Sequence, residues 1–261
     1  MSDDIEKYLE FILQECSEEL DNNDFLGVYH KVCRLKSAWI STELFKIFTT
    51  LSKVLDKTIF IEENGKLIHC YTISPNVTIP NSVTKMADGC FYDCTSVKSI
   101  TIPDTVKEIS MRVFYNCRSL ESVNIPNSIT ELGKLLFCGC VSLKKIIIPD
   151  SVMEIGAWAF VDCRSLKTIN IPNSVKEIVG GAFEGCISLT SISIPDSVNG
   201  IGSEAFKGCT SLTSITIPKS VTKLGRDVFK DCTSLKQITL PKKFMGRKTL
   251  NIEDNVVINY I

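Results

Sequence analysis

Histidine is almost missing from this chain: His30 and His69 are the two in 261 residues. That scarcity excludes metal and acid–base sites built from paired histidines, and neither one belongs to an H-E-x-x-H pair. No apolar run approaches the roughly 18 residues a membrane-spanning helix needs, so no membrane span is expected. A dominant charge is missing too. Lys and Arg number 29 against 30 Asp and Glu, a formal net charge of −1, with an isoelectric point near 6.2. Such a balance gives no electrostatic case for nucleic acid or an anionic membrane as a partner. Phosphate loop, dinucleotide-binding glycine pattern and nucleophile elbow are all absent. The N-terminal stretch "MSDDIEKYLEFILQEC" is acidic and amphipathic, without the basic start, apolar core and small-residue cleavage site of a secretory signal. The expected location is therefore cytoplasmic, with the cell surface as the alternative. Asn76-Val77-Thr78 is a glycosylation sequon, meaningful only in an exported chain.

What the chain has in abundance is repetition. "CISLTSISIPDSVNGIGSEAFKGC", from Cys186 to Cys209, is followed at once by a near copy. Proline stands at 80, 103, 126, 149, 172, 195, 218 and 241, always 23 apart. Phenylalanine keeps that step from Phe91 to Phe229, and a cysteine follows each phenylalanine by three, from Cys94 to Cys232. A fixed period of this size means stacked units, none of which can bury its apolar face alone. Within the unit, Leu-x-x-Ile-x-Ile alternates apolar and polar positions and predicts a short strand with one buried face. Proline, which lacks a ladder N–H, closes it. The second half, Val-x-x-Ile-Gly-x-x-Ala-Phe-x-x-Cys, keeps apolar residues three or four apart around a glycine. It predicts turns or a short 3₁₀ piece.

Leu212-x-x-Ile215-x-Ile217-Pro218, Val221-x-x-Leu224-Gly225 and Phe229-x-x-Cys232 together resemble the BspA-like subclass of leucine-rich repeats, over residues 76–244. The resemblance implies a solenoid with a parallel sheet and a role in protein binding or as a cell-surface antigen. No catalytic residues travel with it. The expected fold class is α+β: a leucine-rich-repeat solenoid with a parallel β-sheet along one face and short turns or 3₁₀ pieces on the other. Four regions follow: a helical N-terminal region (1–57), a β-hairpin and N-terminal cap (58–75), the repeats (76–244) and a C-terminal cap strand (245–261). In the first, Ile5, Leu9, Ile12, Leu13, Cys16 and Leu20 trace one helix face behind Ser2-Asp3-Asp4 as capping residues. Phe25, Val28 and Val32 mark a second helix. Leu44, Phe48, Leu51 and Leu55 mark a third, led by Trp39 and Ile40. Asn64-Gly65 between alternating residues predicts a hairpin.

Several columns need a structural reading. The twelve cysteines read best as reduced, buried hydrophobes. Side chains stacked about 4.8 Å apart keep their Cβ atoms wider than a disulfide prefers. Zinc is the sharper alternative, through Cys90-x-x-x-Cys94 and Cys138-Gly139-Cys140, but a structural site needs four converging ligands. Serines after the proline, from Ser82 to Ser220, are expected to satisfy backbone groups. Glycines 133, 156, 202 and 225 are expected to make a backbone turn in each coil. Glu108, Glu131, Glu154 and Glu177 read as a solvated stripe.

Position-for-position repetition argues against catalysis, which needs unlike residues converging at one place. No enzyme activity and no cofactor are expected. Variation is left to the outward strand positions, which are small, polar and short of the aromatics that centre interfaces. The candidate partner-binding residues there are Lys98, Thr101, Glu121, Asn124, Lys144, Lys145, Ile147, Lys167 and Asn170. Lys144, Lys145 and Ile147, within "KKIII", stand out amid hydroxyls. The expected function is a non-catalytic scaffold or adaptor for another protein, for example a regulatory partner of a signalling enzyme such as a phosphatase. The alternatives are a surface adhesin or antigen and a self-assembling structural protein, the latter a homo-oligomer formed through the N-terminal helices or the C-terminal edge.

Overall fold

The computed structural model of the chain describes residues 12–35 and 41–261. Ser2, Asp3, Asp4, Ile5, Leu9, Trp39 and Ile40 lie outside the described residues.

Each repeat winds one coil, and the alternation of its strand half decides the sheet. In β5 (Ser99–Thr101), β7 (Ser122–Asn124), β10 (Thr168–Asn170), β12 (Ser191–Ser193), β14 (Ser214–Thr216) and β16 (Gln237–Leu240) the second residue points inward and is buried. Its neighbours point out. Pairing is parallel and in register at the period, as in Ile100↔Val123 and Ile215↔Ile238. β3 (Asn76–Thr78) opens the sheet, and β17 (Val257–Tyr260) extends it beyond β16. The coil at 145–147 is the exception: Ile147 makes single bridges to Asn124 and Asn170 where its neighbours form strands.

The return half is made of turns, as expected, and adds a second parallel ladder of two-residue strands. These are β4 (Lys85–Met86), β6 (Glu108–Ile109), β8 (Glu131–Leu132), β9 (Glu154–Ile155), β11 (Glu177–Ile178), β13 (Gly200–Ile201) and β15 (Lys223–Leu224). Two residues are too few to show a period, so the pattern Val-x-x-Ile read only as spacing. A third set of coil-to-coil bonds runs along the turns, from Phe114 N to Leu136 O (3.0 Å), Phe137 N to Ala159 O (2.8 Å) and Phe160 N to Ala182 O (2.8 Å). The turns place two columns in the left-handed region. One runs Asp93, Asn116, Gly139, Asp162, Gly185, Gly208, Asp231, all residue types that tolerate φ near +60°. The other runs Gly89, Arg112, Leu135, Trp158, Gly181, Glu204, Asp227.

Inside, the phenylalanine column is fully buried and stacks face on face. Centroids from Phe114 to Phe206 are 5.2–5.6 Å apart, with ring planes within 15° of parallel. Beside it each ladder cysteine from Cys117 to Cys232 donates its S–H to the carbonyl of a preceding phenylalanine, while Cys94 donates to Cys70 O (3.5 Å). Cys117 reaches Phe91 O (3.0 Å), Cys186 reaches Phe160 O (3.2 Å) and Cys232 reaches Phe206 O (3.1 Å). The same carbonyl already accepts a backbone N–H, as Phe91 O does from Cys94 N (3.1 Å), so the thiol supplies a second donor that a methylated hydrophobe in the slot would lack. Eleven described cysteines are free thiols and buried, Cys90 among them. Most post-proline hydroxyls serve the backbone: Thr105 donates to Val83 O (2.9 Å), Ser151 to Ile129 O (2.6 Å) and Ser220 to Val198 O (2.7 Å). Two depart from the expectation: Ser82 donates to the Glu62 carboxylate (2.8 Å), and the buried Ser197 hydroxyl has no hydrogen-bond partner.

The glycine column corrects the expectation of a turn. Gly133, Gly156, Gly202 and Gly225 are not in the left-handed region; they sit where one coil's backbone presses on the next. A Cβ on Gly156 would stand 2.6 Å from Leu132 O, and one on Gly225 2.2 Å from Ser203 N. Close approach, not backbone freedom, calls for glycine there.

At the N-terminal end, Asn64 (φ 51°) and Gly65 (φ 74°) close the hairpin of β1 (Ile59–Glu63) and β2 (Lys66–Tyr71). Left-handed φ at both positions is the geometry favoured by right-twisted strands. β2 then pairs parallel with β4, joining the hairpin to the solenoid. α1 (Ser17–Asp21) packs against α2 (Phe25–Leu35), and α2 and α3 (Ser41–Leu55) meet β1 and β2 of the hairpin. Ile12, Val28, Phe48, Leu51, Ile59, Ile61 and Tyr71 form a core of their own there, separate from the continuous one between Leu67 and Val256. Tyr29, off the main helix stripe, packs on Phe48 (5.9 Å) and His69 (5.8 Å).

Candidate interaction surface

The strand sheet presents its outward positions as one face, and the structure puts all the candidate residues on it. Lys98, Thr101, Asn124, Lys144, Lys145, Ile147, Lys167 and Asn170 are exposed; Glu121 is half-buried. Proximity across coils pairs Lys144 Nζ with Glu121 Oε2 at 2.6 Å. That hydrogen bond and the lysine's charge hold the Glu121 carboxyl below the usual carboxylate range. The pair is solvent-exposed, so it orders two side chains more than it stabilises the fold. Asn124 is turned onto the backbone of the preceding coil. Its Oδ1 accepts from Ile102 N (2.8 Å) and its Nδ2 donates to Ile102 O (2.9 Å), leaving little of the amide to meet a partner. Ile147 is 69% exposed, the most exposed large apolar side chain among the described residues. It occupies the coil with the weakest strand pairing, flanked by Lys144 and Lys145.

The ladder of two-residue strands carries the acidic column. Glu131, Glu154 and Glu177 lie in register and exposed, one coil apart. Lys85 caps the row through Glu108 at 2.6 Å. Partial burial, then the charges of Glu131 and Glu177, raise the Glu154 carboxyl above its ordinary value. Gly200 breaks the row, and an open groove of about 370 Å³ lies over it between Glu177 and Lys223. Among the described residues no group of His, Cys, Asp and Glu is arranged to hold a metal ion. No described helix is long and apolar enough to cross a membrane.

The third edge, along the turns, was not singled out from sequence. The position after each core phenylalanine lies along it and reads Tyr92, Tyr115, Cys138, Val161, Glu184, Lys207, Lys230; all but the buried Cys138 reach the surface at least in part. Tyr92 and Tyr115 stack at 5.0 Å, with planes 3° apart, and Tyr115 is hydrogen-bonded to Cys138. Trp158, 38% exposed, lies under Lys134 Nζ at 5.1 Å. Its ring crosses Gly181, where a Cβ would stand 2.3 Å from Trp158 Cδ1. The signal was available as a column whose chemistry changes from aromatic to charged along the solenoid.

Comparison with known proteins matches this coil. The family described as the BspA type leucine-rich repeat region matches residues 66–186 and 154–253, in six copies. Among solved structures, a leucine-rich repeat protein of T. pallidum is 30% identical, with 74% of this chain and 91% of that one covered and a TM-score of 0.64. A leucine-rich repeat protein from Bacteroides ovatus is 21% identical over 78% of this chain and 98% of that one, with a TM-score of 0.35. The pneumococcal vaccine antigen PcpA is 19% identical over 73% of this chain and 63% of that one, with a TM-score of 0.42. No curated protein matches the chain. The repeated unit, its parallel stacking and the extent of the match agree, and the chain belongs to the BspA-type leucine-rich repeat family.

Proposed function

We propose that the chain is a non-catalytic scaffold that binds another protein through the strand-sheet face, with Lys144, Lys145 and Ile147 at the centre of contact. The observation that carries this reading is Ile147, an aliphatic side chain left 69% exposed in a column otherwise filled by Thr, Asn and Ser. Its two lysines supply charge at the rim. Rigidity supports it as well: a face fixed by three sets of inter-coil bonds loses little entropy on docking. An adaptor inside the cell is the favoured setting. No short motif selects a partner, and a signalling enzyme such as a phosphatase is one class to include among the candidates. The test is affinity capture with cross-linking and mass spectrometry, followed by calorimetry on the partner identified. Replacing Ile147 with Thr and Lys145 with Ser, residues the same columns hold elsewhere, is expected to weaken binding about ten-fold or more. Undiminished affinity sinks the reading.

Exposure of Asn76 at the start of the sheet favours a second reading, a surface antigen, since its sequon lies open on β3. Mass spectrometry of the native protein separates the two: a glycan on Asn76 places the chain outside the cell.

A further inference from the structure

The strand sheet finishes in an edge that lacks the usual protection. β17 pairs with β16 on one side, and among the described residues no strand pairs with its other side. Exposed edges are ordinarily blunted by lysine, proline or a bulge. Residues 257–261 read V-I-N-Y-I, and their register with β16 runs without a break. Val257 is 60% exposed and Ile261 39%. The pair Gln237↔Val257 puts that valine in a column which runs from Ser99 to Gln237 through polar residues alone. The backbone fixes what can join this edge. Val257 N donates to Lys236 O (2.9 Å), Ile261 N to Leu240 O (2.9 Å) and Lys242 N to Ile261 O (3.0 Å). Odd-numbered residues therefore turn their peptide groups to β16, and strand alternation leaves the N–H and C=O of Ile258 and Tyr260 on the open side.

We propose that the occupant is a second copy of this chain: two β17 strands pair antiparallel about a two-fold axis at Asn259 and join the two strand sheets into one. Both open positions are used when Ile258 of each copy opposes Tyr260 of the other, giving two doubly hydrogen-bonded pairs. That register then sets like against like. Val257 meets Ile261 on the outward face, Ile258 meets Tyr260 on the other, and Asn259 meets itself; apolar pairs of this kind are what stabilise antiparallel strands. Charge agrees. Glu253 and Asp254 outnumber Lys236 at the start of the β16–β17 pair, while Lys219, Lys242 and Lys243 gather at its finish, with no Asp or Glu in residues 238–252. Lys243 Nζ bonds Lys219 O there (3.2 Å). Antiparallel pairing lays the acidic start of one copy beside the basic finish of the other. The sheet's opposite terminal strand, β3, fits less well, because its outward Asn76 and Thr78 leave Val257 without an apolar mate. Pairing about Asn259 keeps both outward faces on the same side. Ile147 lies five strand steps from Asn259, so the dimer displays its two Ile147 patches about 50 Å apart, and a partner with two sites binds both with avidity. That use rests on the sheet-face reading; dimerisation does not.

The test is sedimentation equilibrium of the full chain over about 1–200 μM, with cysteine cross-linking to read the register. The mass should rise from 29.0 kDa to twice that value and stop there. Val257→Lys, a charge on an already exposed edge position, should raise the dissociation constant about 30-fold or more, with an unchanged circular dichroism spectrum. Ile147→Thr/Lys145→Ser should dimerise as the parent does. Asn259→Cys should form a disulfide dimer under mild oxidation, since facing residues of a non-hydrogen-bonded pair have Cα atoms about 4.5 Å apart. The eleven described native cysteines are buried and give little background. Val257→Cys should not cross-link, because its two copies lie about 13 Å apart along the strands. A chain that stays monomeric throughout overturns the proposal. A mass that grows past two copies assigns the edge to head-to-tail stacking, and a dimer untouched by Val257→Lys places the interface elsewhere. Cross-linking through Val257→Cys in preference to Asn259→Cys gives a different register. Loss of the dimer in the Ile147 variant moves it to the sheet face. Each of these results overturns it too.

Discussion

Gly225→Ala and Gly208→Ala separate two jobs that glycine does in this coil. A Cβ on Gly225 falls 2.2 Å from Ser203 N and 2.5 Å from the Gly202 carbonyl carbon, atoms of the backbone that no rotamer change can move aside. Ordinary contact begins near 3.4 Å, so the two coils must part by about 1 Å. That movement strains the Gly225 N–Ile201 O and Thr222 N–Asn199 O bonds, both 2.8 Å. Overpacking typically costs about 1–3 kcal/mol, and a weakened backbone hydrogen bond adds about 1 kcal/mol. The expected loss for Gly225→Ala is therefore about 3 kcal/mol. Gly208 has φ +70° and its nearest neighbours, Gly185 Cα and N, stand 3.7 Å from the added carbon. Space is available, and only the left-handed conformation is penalised, by about 1 kcal/mol. Urea titration followed by far-UV circular dichroism measures both, with the slope checked for two-state behaviour. If Gly208→Ala proves the more damaging of the two, close approach is the wrong reason for the glycine column.

Three further outcomes are expected. Burial pushes the ladder thiols up, Cys94 and Cys232 to about 12. A disulfide-exchange reagent at pH 8 should therefore leave them nearly unreacted in the folded chain and titrate about twelve thiols after denaturation without reductant; substantially fewer in denaturant would reveal disulfides. Glu154 has a raised folded-state pKa, so the folded state holds the proton more tightly than the unfolded chain. Its contribution to stability is present below the unfolded value and is lost as pH rises through the folded one. Glu154→Gln should then raise the melting temperature at pH 7, less so in high salt, and should not at pH 4; no gain at neutral pH refutes the repulsion among Glu131, Glu154 and Glu177. Burial lowers the pKa of His69, which sits 5.8 Å from the Tyr29 ring and 5.7 Å from Tyr71. The unfolded chain takes up the proton first, so stability should fall as pH drops below about 6.5 and level off beneath the folded-state value. His69→Phe should flatten that part of the profile in thermal melts at several pH values.

How much of this was legible before the structure depends on how far each feature acts along the chain. The strand of each coil was readable, because Ile100 and Ile102 or Ile215 and Ile217 alternate with hydroxyls at period two. The hairpin was readable because Asn64-Gly65 suits only a few turns. Both signals are local. The second ladder was not readable, since a Glu-Ile pair becomes a strand only when the coils on either side supply partners. Gly156 and Gly225 misled for the same reason: a glycine needed for clearance looks identical in sequence to one needed for φ, and only the preceding coil tells them apart. Cysteine was correctly placed inside, yet its bond to a phenylalanine carbonyl 26 residues earlier, as in Cys163 to Phe137, depends on coil-to-coil spacing. The outward strand face was legible as a list of positions. That Asn124 folds its amide onto Ile102 was not, so its column overstated what is free to bind.

A repeat sharpens this limit into a rule for finding function. Where geometry and chemistry both repeat, as at Phe160 and Cys163, the fold alone accounts for the residue. Where the geometry repeats and the chemistry does not, the fold has been satisfied by other residues in the same slot, and the departure needs a cause outside the core. Ile147 among Thr and Asn is one such departure, and Tyr92 and Tyr115 in a column that continues as Glu184 and Lys207 is another. The second is the stronger, because the alternative residues are charged, not merely smaller. A slot that tolerates the Glu184–Lys207 ion pair (2.9 Å) gives stability no reason to prefer two stacked tyrosines. Replacing those tyrosines should accordingly change what the chain binds more than how well it folds.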